Sequence, residues 1–425
     1  MTTLLRGGRV IDATGTRDAD VLIDDGRIVA VGTGLDGDTV LDAGGCIVAP
    51  GLVDLHSHLR QPGREEAETV ETGSRCAALG GFTAVVAMPN TTPAIDSAAV
   101  VREVQELGEK ALCAVHPAGA ITVGRAGERL SPMAELAELG VRLFTDDGSG
   151  VQDNQLMRRA MEYAVGLPQP VVLAQHCEDA ALCGGGHMHE GAWSARLGIA
   201  GQPAEAEELM VTRDLALARL TGARVHLQHL STAGSVEQVR AAKVAGVRVT
   251  AEATTHHFTL TDAACAGYDP VFKVNPPLRT GADVHAVRTG LADGTLDAIA
   301  TDHAPHTQED KEQAFDEASP GMLGLETALA LALTELELPT EEILALLSWR
   351  PAAIAGLADS HGGPIAEGRP ANLCVIDPTA TWTVDPAASA SRSRNTPYAG
   401  RALTGRVRHT IYRGEPVVID AEAQR

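Results

Sequence analysis

The chain has 425 residues, 44 % of them hydrophobic and 21 % charged, a balance that suits a globular protein with room for one large domain and a smaller one. Its net charge of −22 excludes nucleic acid and anionic membrane surfaces as partners, because both demand a basic face. No apolar run of roughly 18 residues predicts a membrane span, no secretory leader is expected from the first residues, and seven scattered cysteines without a Cys-x-x-Cys pair read as reduced thiols of a cytoplasmic protein.

The first 50 residues predict short strands at Leu4-Leu5-Arg6, Arg9-Val10-Ile11, 20–23 and 27–31, with Asp24-Asp25-Gly26 as a hairpin turn. An apolar run then ends in His56-Ser57-His58, with Arg60 two residues on. Alternate side chains of a strand share a face, so His56, His58 and Arg60 are expected to point the same way. Two imidazoles on one face begin a metal site, and an arginine beside them can grip a carboxylate with two parallel hydrogen bonds. The plain alternative is a pair of surface histidines.

Beyond this point strands alternate with amphipathic helices: strand 82–88, helix 97–110, strand 170–176, helix 204–220, strand 224–229, helix 236–245, strand 248–252 and strand 296–302. Repeated βα units imply a parallel sheet, and their number suits a closed (β/α)8 TIM-type barrel. An open doubly wound sheet is the alternative, although no Gly-x-Gly-x-x-Gly opens a helix. Further strands are predicted at 371–377 and 406–414. The expected layout is therefore a barrel over 51–359 and a small composite β-sandwich domain made of 1–50 and 360–425.

Polar residues able to bind metal recur where the apolar strands stop: His56 and His58, Asp146-Asp147, His176, His229 and Asp302. In a barrel the C-terminal strand ends converge on one mouth. Taken singly, Asp146-Asp147-Gly148 passes as a turn and Asp302 as a helix cap; five strands delivering such residues to one rim point to a metal centre. Imidazoles and carboxylates without thiolates suit Zn2+ or a similar ion. The set exceeds the needs of one zinc, and a carboxylate-bridged pair of ions, roughly 3.5–4 Å apart, fits better. His226 has the opposite strand parity to His229 and is expected to face the helices; Cys177 and His303 each follow a candidate ligand and are expected to point away. His256 and His257 are expected to be supporting or structural, and His187 and His189 to lie on the surface. A second set could recognise a small acid: Arg60, Asn90 and Asn275, the asparagines having turn formation as their plain alternative. His306 opens a polar loop running to Pro320-Gly321, which could act as a lid.

Gly51-Leu52-Val53-Asp54-Leu55-His56-Ser57-His58-Leu59-Arg60, Met88-Pro89-Asn90-Thr91, Phe144-Thr145-Asp146-Asp147-Gly148, Gln175-His176-Cys177-Glu178-Asp179, His229-Leu230-Ser231-Thr232, Asn275-Pro276-Pro277-Leu278-Arg279, Thr301-Asp302-His303-Ala304-Pro305-His306 and Gly324-Leu325-Glu326-Thr327 follow one another along the barrel. In these stretches the chain resembles the class I bacterial dihydroorotases of the cyclic amidohydrolase family. The resemblance implies reversible cyclisation of N-carbamoyl-L-aspartate to L-dihydroorotate in pyrimidine biosynthesis, by a metal-bound hydroxide and an aspartate that acts as general base and acid. It implies two Zn2+ per chain, one held by His56, His58 and Asp302, the other by His176 and His229, with Asp147 bridging. No lysine ends the strand before Asp146, where many relatives carry a carboxylated bridging lysine; between Asp146 and Asp147, spacing to His176 favours Asp147. Asp302 would move the proton. His58, Arg60, Asn90 and Asn275 would bind the substrate on its carboxylate side, and His306, Pro320 and Gly321 the ring amide. A homodimer and aspartate transcarbamoylase are the macromolecular partners the resemblance admits. Two other readings are a hydantoinase or allantoinase, and an inactive homologue that scaffolds aspartate transcarbamoylase.

Overall fold

Eight short apolar runs form the parallel strands of a barrel in the computed structural model, which describes residues 1–424. These are β1 (Leu52–Ser57), β2 (Phe82–Ala87), β3 (Ala114–Pro117), β4 (Leu143–Phe144), β5 (Val172–Gln175), β6 (Val225–Leu227), β7 (Val249–Thr254) and β8 (Ala298–Ala300). β1 to β3 pair in parallel, as do β4 to β8. Single bridges close the two seams: Gly119 to Phe144 beyond β3, and Ser57 to His303 beyond β8. Backbone hydrogen bonds secure both, Thr145 N to Gly119 O at 2.9 Å and His58 N to His303 O at 2.8 Å. Leu55, Val86, Met88, Val172, Ala174 and Ala298 fill the interior. The other face of the strands, with Val85, Leu173, Leu227 and Ile299, packs under the helices through Val101, Met157, Val211 and Val239.

The helices start where side chains cap them. Thr69, Asp153, Thr232 and Thr280 accept hydrogen bonds from the first-turn N–H groups of Val70–Leu79, Asn154–Val165, Ala233–Val244 and Gly281–Ala292. The helix expected at 204–220 runs Glu205–Thr221 and stops at Gly222, whose φ of 75° suits glycine at a helix end. Among the described residues no helix is long and apolar enough to cross a membrane.

Both chain ends join one nine-stranded sheet. Ile47–Pro50, from the N-terminal part, pairs antiparallel with Leu373–Thr383 from the C-terminal part. Leu5, Val10, Val21, Ile28, Leu373 and Ile411 share its core. The Asp25-Gly26 turn has positive φ at both positions, 46° and 74°, the geometry of a tight hairpin. All seven cysteines are free thiols.

The strands end earlier than the sequence predicts. Strand 224–229 is only Val225–Leu227, and strand 296–302 only Ala298–Ala300. The reason lies in the polar residues that follow. Arg60, His229 and Asp302 have φ of 61°, 36° and 45°, left-handed conformations that break a pleat and re-aim the side chain. Such conformations in non-glycine residues cost about 1–3 kcal/mol each and cluster at functional sites.

Candidate metal centre

The re-aimed residues meet at the C-terminal mouth of the barrel. His56, at the end of β1, is wholly buried. Its Nε2 lies 3.1 Å from Asp147 Oδ1 and 3.5 Å from Asp302 Oδ1. His58, just past β1, brings Nε2 to 2.9 Å from Asp302 Oδ1 and 3.5 Å from Asp147 Oδ2. On the far side of Asp147, His176 Nδ1 and His229 Nε2 approach its Oδ1 at 3.5 and 3.6 Å. The donors form two groups, His56, His58 and Asp147, and Asp147, His176 and His229, each with ligand atoms within 4.8 Å of one another. Asp147 belongs to both. Asp146 is turned away: its carboxylate accepts from Thr122 N at 3.0 Å and from the Thr122 hydroxyl.

The residues present fit divalent ions. His56 Nε2 and Asp147 Oδ1 face each other across 3.1 Å, both buried and neither hydrogen-bonded among the described residues. Buried polar atoms left without partners are rare and call for a missing one. Charge says the same. Burial alone would push the Asp147 carboxyl up, yet His56, His176 and His229 hold it well below the ordinary range. Burial would likewise depress the histidines, but Asp147 and Asp302 raise His56 well above its ordinary value, and Glu178 and Asp147 carry His176 to about 10. Without ions the pocket satisfies its carboxylates by holding protons on imidazole; a cation meets the same demand. Imidazole and carboxylate donors without thiolate are the set zinc and similar ions take.

Hydrogen bonds on the outer nitrogens fix the rings. Glu252, buried on β7, lies between His56 Nδ1 at 3.1 Å and His226 Nε2 at 3.0 Å. Gln228 Nε2 is 3.2 Å from His56 Nδ1 and Gln228 Oε1 accepts from Thr145 Oγ1 at 2.8 Å. Glu178 Oε2 sits 2.5 Å from His176 Nε2, and Asn90 Oδ1 2.8 Å from His58 Nδ1. Carboxylates behind metal-binding histidines orient the ring and make it a better donor. Arg125, on the loop after β3, donates to the backbone carbonyl of Asp147 at 2.7 Å. None of Glu252, Glu178, Gln228 and Arg125 is singled out by sequence reasoning. Glu252 carried a signal, the one charged residue inside a strand otherwise made of valine, alanine and threonine; the others carried none.

Two expectations are corrected. His226 faces inward, in register with Ala174 of the barrel interior, and not toward the helices. Parity counted back from His229 fails because His229 lies beyond the strand with φ of 36°. His189 is buried, its Nδ1 3.2 Å from Nη1 of the buried Arg279. Met188–His189 pairs with Gly201–Gln202 and folds the glycine-rich loop back onto the molecule. Cys177 packs in the outer core, and His303 turns to Glu68 at 3.4 Å. Glu68, Cys76 and His303 make a third group of possible ligands, but Glu68 is already engaged by Thr72, His303 and Ser391. His257 donates to Pro276 O at 3.0 Å and thereby holds the segment carrying Asn275.

A cavity of about 190 Å3 opens over the cluster. His58, Asp147, His176, His229 and Asp302 form its floor. Its wall carries Arg60, Asn90, Asn275, His306, Pro320 and Gly321, which with His58 of the floor make up the residues expected to meet substrate. Arg60 Nε donates to Pro305 O at 3.0 Å, and its Nη2 lies 3.3 Å from His306 Nε2. Burial, with Arg64 nearby, lowers the Arg60 guanidinium only to about 10, so it stays charged. Arg60 reaches the wall by its left-handed turn and not by strand alternation. Asn275 Oδ1 is buried and without a partner among the described residues. His306 Nε2 is 2.8 Å from Pro320 O, while Gly321 N donates to Lys273 O at 2.9 Å. The loop from 307 to 319 is tied down by Arg64 to Asp310 at 2.6 Å and by Lys311 Nζ to Ser319 O at 2.8 Å.

Comparison with known proteins gives a consistent result. A family model described as dihydro-orotase-like matches residues 45–235, and one described as the amidohydrolase family matches residues 186–418. The dihydroorotase of Streptomyces coelicolor is 50 % identical over 429 residues, covering 99 % of both chains. The dihydroorotase of Mycobacterium tuberculosis is 49 % identical over 437 residues, again covering 99 % of both. Among solved structures, L-hydantoinase from Arthrobacter aurescens superposes with a TM-score of 0.89 at 24 % identity, over 100 % of this chain and 97 % of that one. At that identity the likeness is one of fold.

Proposed function

The chain belongs to the dihydroorotase family of amidohydrolases, and from that premise we infer that its barrel mouth interconverts N-carbamoyl-L-aspartate and L-dihydroorotate, a step of pyrimidine biosynthesis. The observation that carries this reading is Asp147, shared by two histidine groups beneath a small cavity whose wall bears a charged arginine and two asparagines. Two zinc ions, one on His56, His58 and Asp302, the other on His176 and His229, with Asp147 common to both, would supply Lewis acidity at the ring amide carbonyl and lower the pKa of the attacking water.

The side chains do the rest. Arg60, Asn90 and Asn275 bind the substrate carboxylate, a charge present on both sides of the reaction. His58, fixed through its Nδ1 to Asn90 Oδ1, borders the same group. His306 and the Pro320-Gly321 backbone face the ring amide. Gly321 N is already used, but a carbonyl accepts twice, so Pro320 O can take a ring N–H beside that of His306. Asp302 takes a proton from the attacking water and returns it to the ring nitrogen as the amide bond breaks; in synthesis it runs the same path backwards. Its carboxyl is held below the ordinary range against its own burial, mainly by His56 and His58, so it is ionised and ready as a base in the hydrolytic direction.

A substrate panel tests the reading. Dihydroorotate should be hydrolysed in clear preference to hydantoin and allantoin; preference for either of those makes the protein a different cyclic amidohydrolase on the same fold. An inactive scaffold fits poorly, because all six ligand positions are filled and converge. Arg60 offers a separate check. Lysine keeps the charge but not the planar fork, so Arg60→Lys should weaken substrate binding roughly 10–100-fold, the range of one charged hydrogen bond. Bound metal should not change. Unaltered kinetics with dihydroorotate would remove Arg60 from the site.

A further inference from the structure

The segment 391–398 carries no motif that points to chemistry, yet it runs beneath the substrate wall. Ser391 Oγ donates to Glu68, and Ser393 Oγ donates to Ala67 O at 2.8 Å. Tyr398 is buried, with its hydroxyl 2.8 Å from Thr259 Oγ1. Between these anchors lies Asn395, only 6 % exposed. Both of its amide protons and its oxygen are engaged. Oδ1 accepts from His306 N at 3.2 Å, while Nδ2 donates to Ala304 O at 2.9 Å and to Gly321 O at 3.1 Å.

The placement is specific. Ala304 N pairs with Met322 O at 2.8 Å in a parallel bridge, with His306 beyond it on one segment and Pro320 before it on the other. Asn395 sits against both segments, and its own carbonyl accepts from Leu323 N at 3.1 Å. Its two donors face two carbonyls and its acceptor faces an N–H, so only one orientation of the amide satisfies all three. Two backbone groups, His306 N and Ala304 O, take their partner from this one side chain, while Gly321 O is shared with Lys311 Nζ at 3.2 Å.

We propose that Asn395 is a positioning residue of the substrate site. Its amide sets the separation of the Ala304–His306 and Pro320–Gly321 segments, and so the placement of His306 and of the Pro320 carbonyl against the substrate. Arg60 is drawn in as well, because its Nε is held by Pro305 O within the same segment. The proposal rests on the functional reading above, in which these groups meet the substrate.

The test compares Asn395→Ala and Asn395→Asp with Ser393→Ala, which removes a hydrogen bond of the same segment away from the cavity. Aspartate keeps the acceptor for His306 N but turns a carboxylate toward two carbonyls; if that variant does not fold, the alanine variant carries the test. Both Asn395 variants should raise KM for dihydroorotate about 10-fold, the scale of a lost buried hydrogen-bond network. Their kcat should fall less than about 3-fold and their metal content should not change. Ser393→Ala should leave KM where it is. Hydrogen exchange on ligand-free protein supplies a readout independent of turnover: the amides of Ala304, His306, Gly321 and Met322 should exchange about 10-fold faster in the Asn395 variants. Faster exchange with a normal KM would make Asn395 a structural residue only and overturn the proposal, as would unchanged exchange. Wild-type protein that does not turn over dihydroorotate would overturn the functional reading first, a result told apart by the control alone.

Discussion

Asp302→Asn should lower kcat by about 10²–10⁴ in both directions, the range general acid–base catalysis supplies. Asparagine keeps the shape of the residue and one oxygen for a metal, but it cannot carry the proton between water and ring nitrogen. KM should change much less, because the substrate carboxylate is held by Arg60, Asn90 and Asn275 on the cavity wall. His56, His58 and Asp147 keep their donors and asparagine keeps one oxygen beside them, so the ion count should stay near that of the parent. The measurement is kcat in each direction with a metal determination on the same sample. Near-normal turnover with the ions in place would make Asp302 a ligand alone and assign proton transfer to another group.

Asp147→Asn should empty both metal positions, while Asp146→Asn should leave them largely filled. The contrast follows from geometry. Asp147 Oδ1 stands 3.1 to 3.6 Å from histidine nitrogens of both groups, whereas Asp146 spends its carboxylate on Thr122. Removing the charge of Asp147 leaves two sets of neutral nitrogens without their common anion. Activity should fall to background in Asp147→Asn and stay within a few-fold of the parent in Asp146→Asn. Loss of ions from the Asp146 variant alone would reverse the roles of the two aspartates.

Much of this was legible in the sequence, for a physical reason. A barrel active site is assembled from strand ends, so apolar runs that stop at histidine or aspartate mark the mouth one strand at a time. His56, His58, Asp147, His176, His229 and Asp302 all lie where such runs end, and the structure brings them within a few ångströms of each other. Arg60 lines the cavity, but not through the alternation of a strand. Strand alternation stops at Ser57, and a left-handed turn, not a pleat, points the guanidinium into the cavity. The same kind of turn at His229 defeated the parity argument for His226. Backbone conformation at a single residue is invisible to a periodicity of two.

What stayed hidden was most of what acts from behind. Strand β3 is four residues long, too short to show a pattern, and β4 is only two. Glu178 and Gln228 look like ordinary polar residues near a strand end; their partners are 2 and 172 positions away in the chain. Asn395 is 89 residues from His306, and no local signal links them. Contacts of this kind are made by tertiary packing, which neither composition nor spacing encodes.

The central claim is that a pair of metal ions at this mouth drives dihydroorotate chemistry. The most direct measurement is metal content and dihydroorotate hydrolysis determined on one preparation, before chelation, after exhaustive chelation, and after zinc is restored. The account predicts up to two divalent ions per chain at the start, activity that disappears with them, and recovery that saturates as two zinc ions return. Full hydrolysis by thoroughly metal-free protein would contradict it.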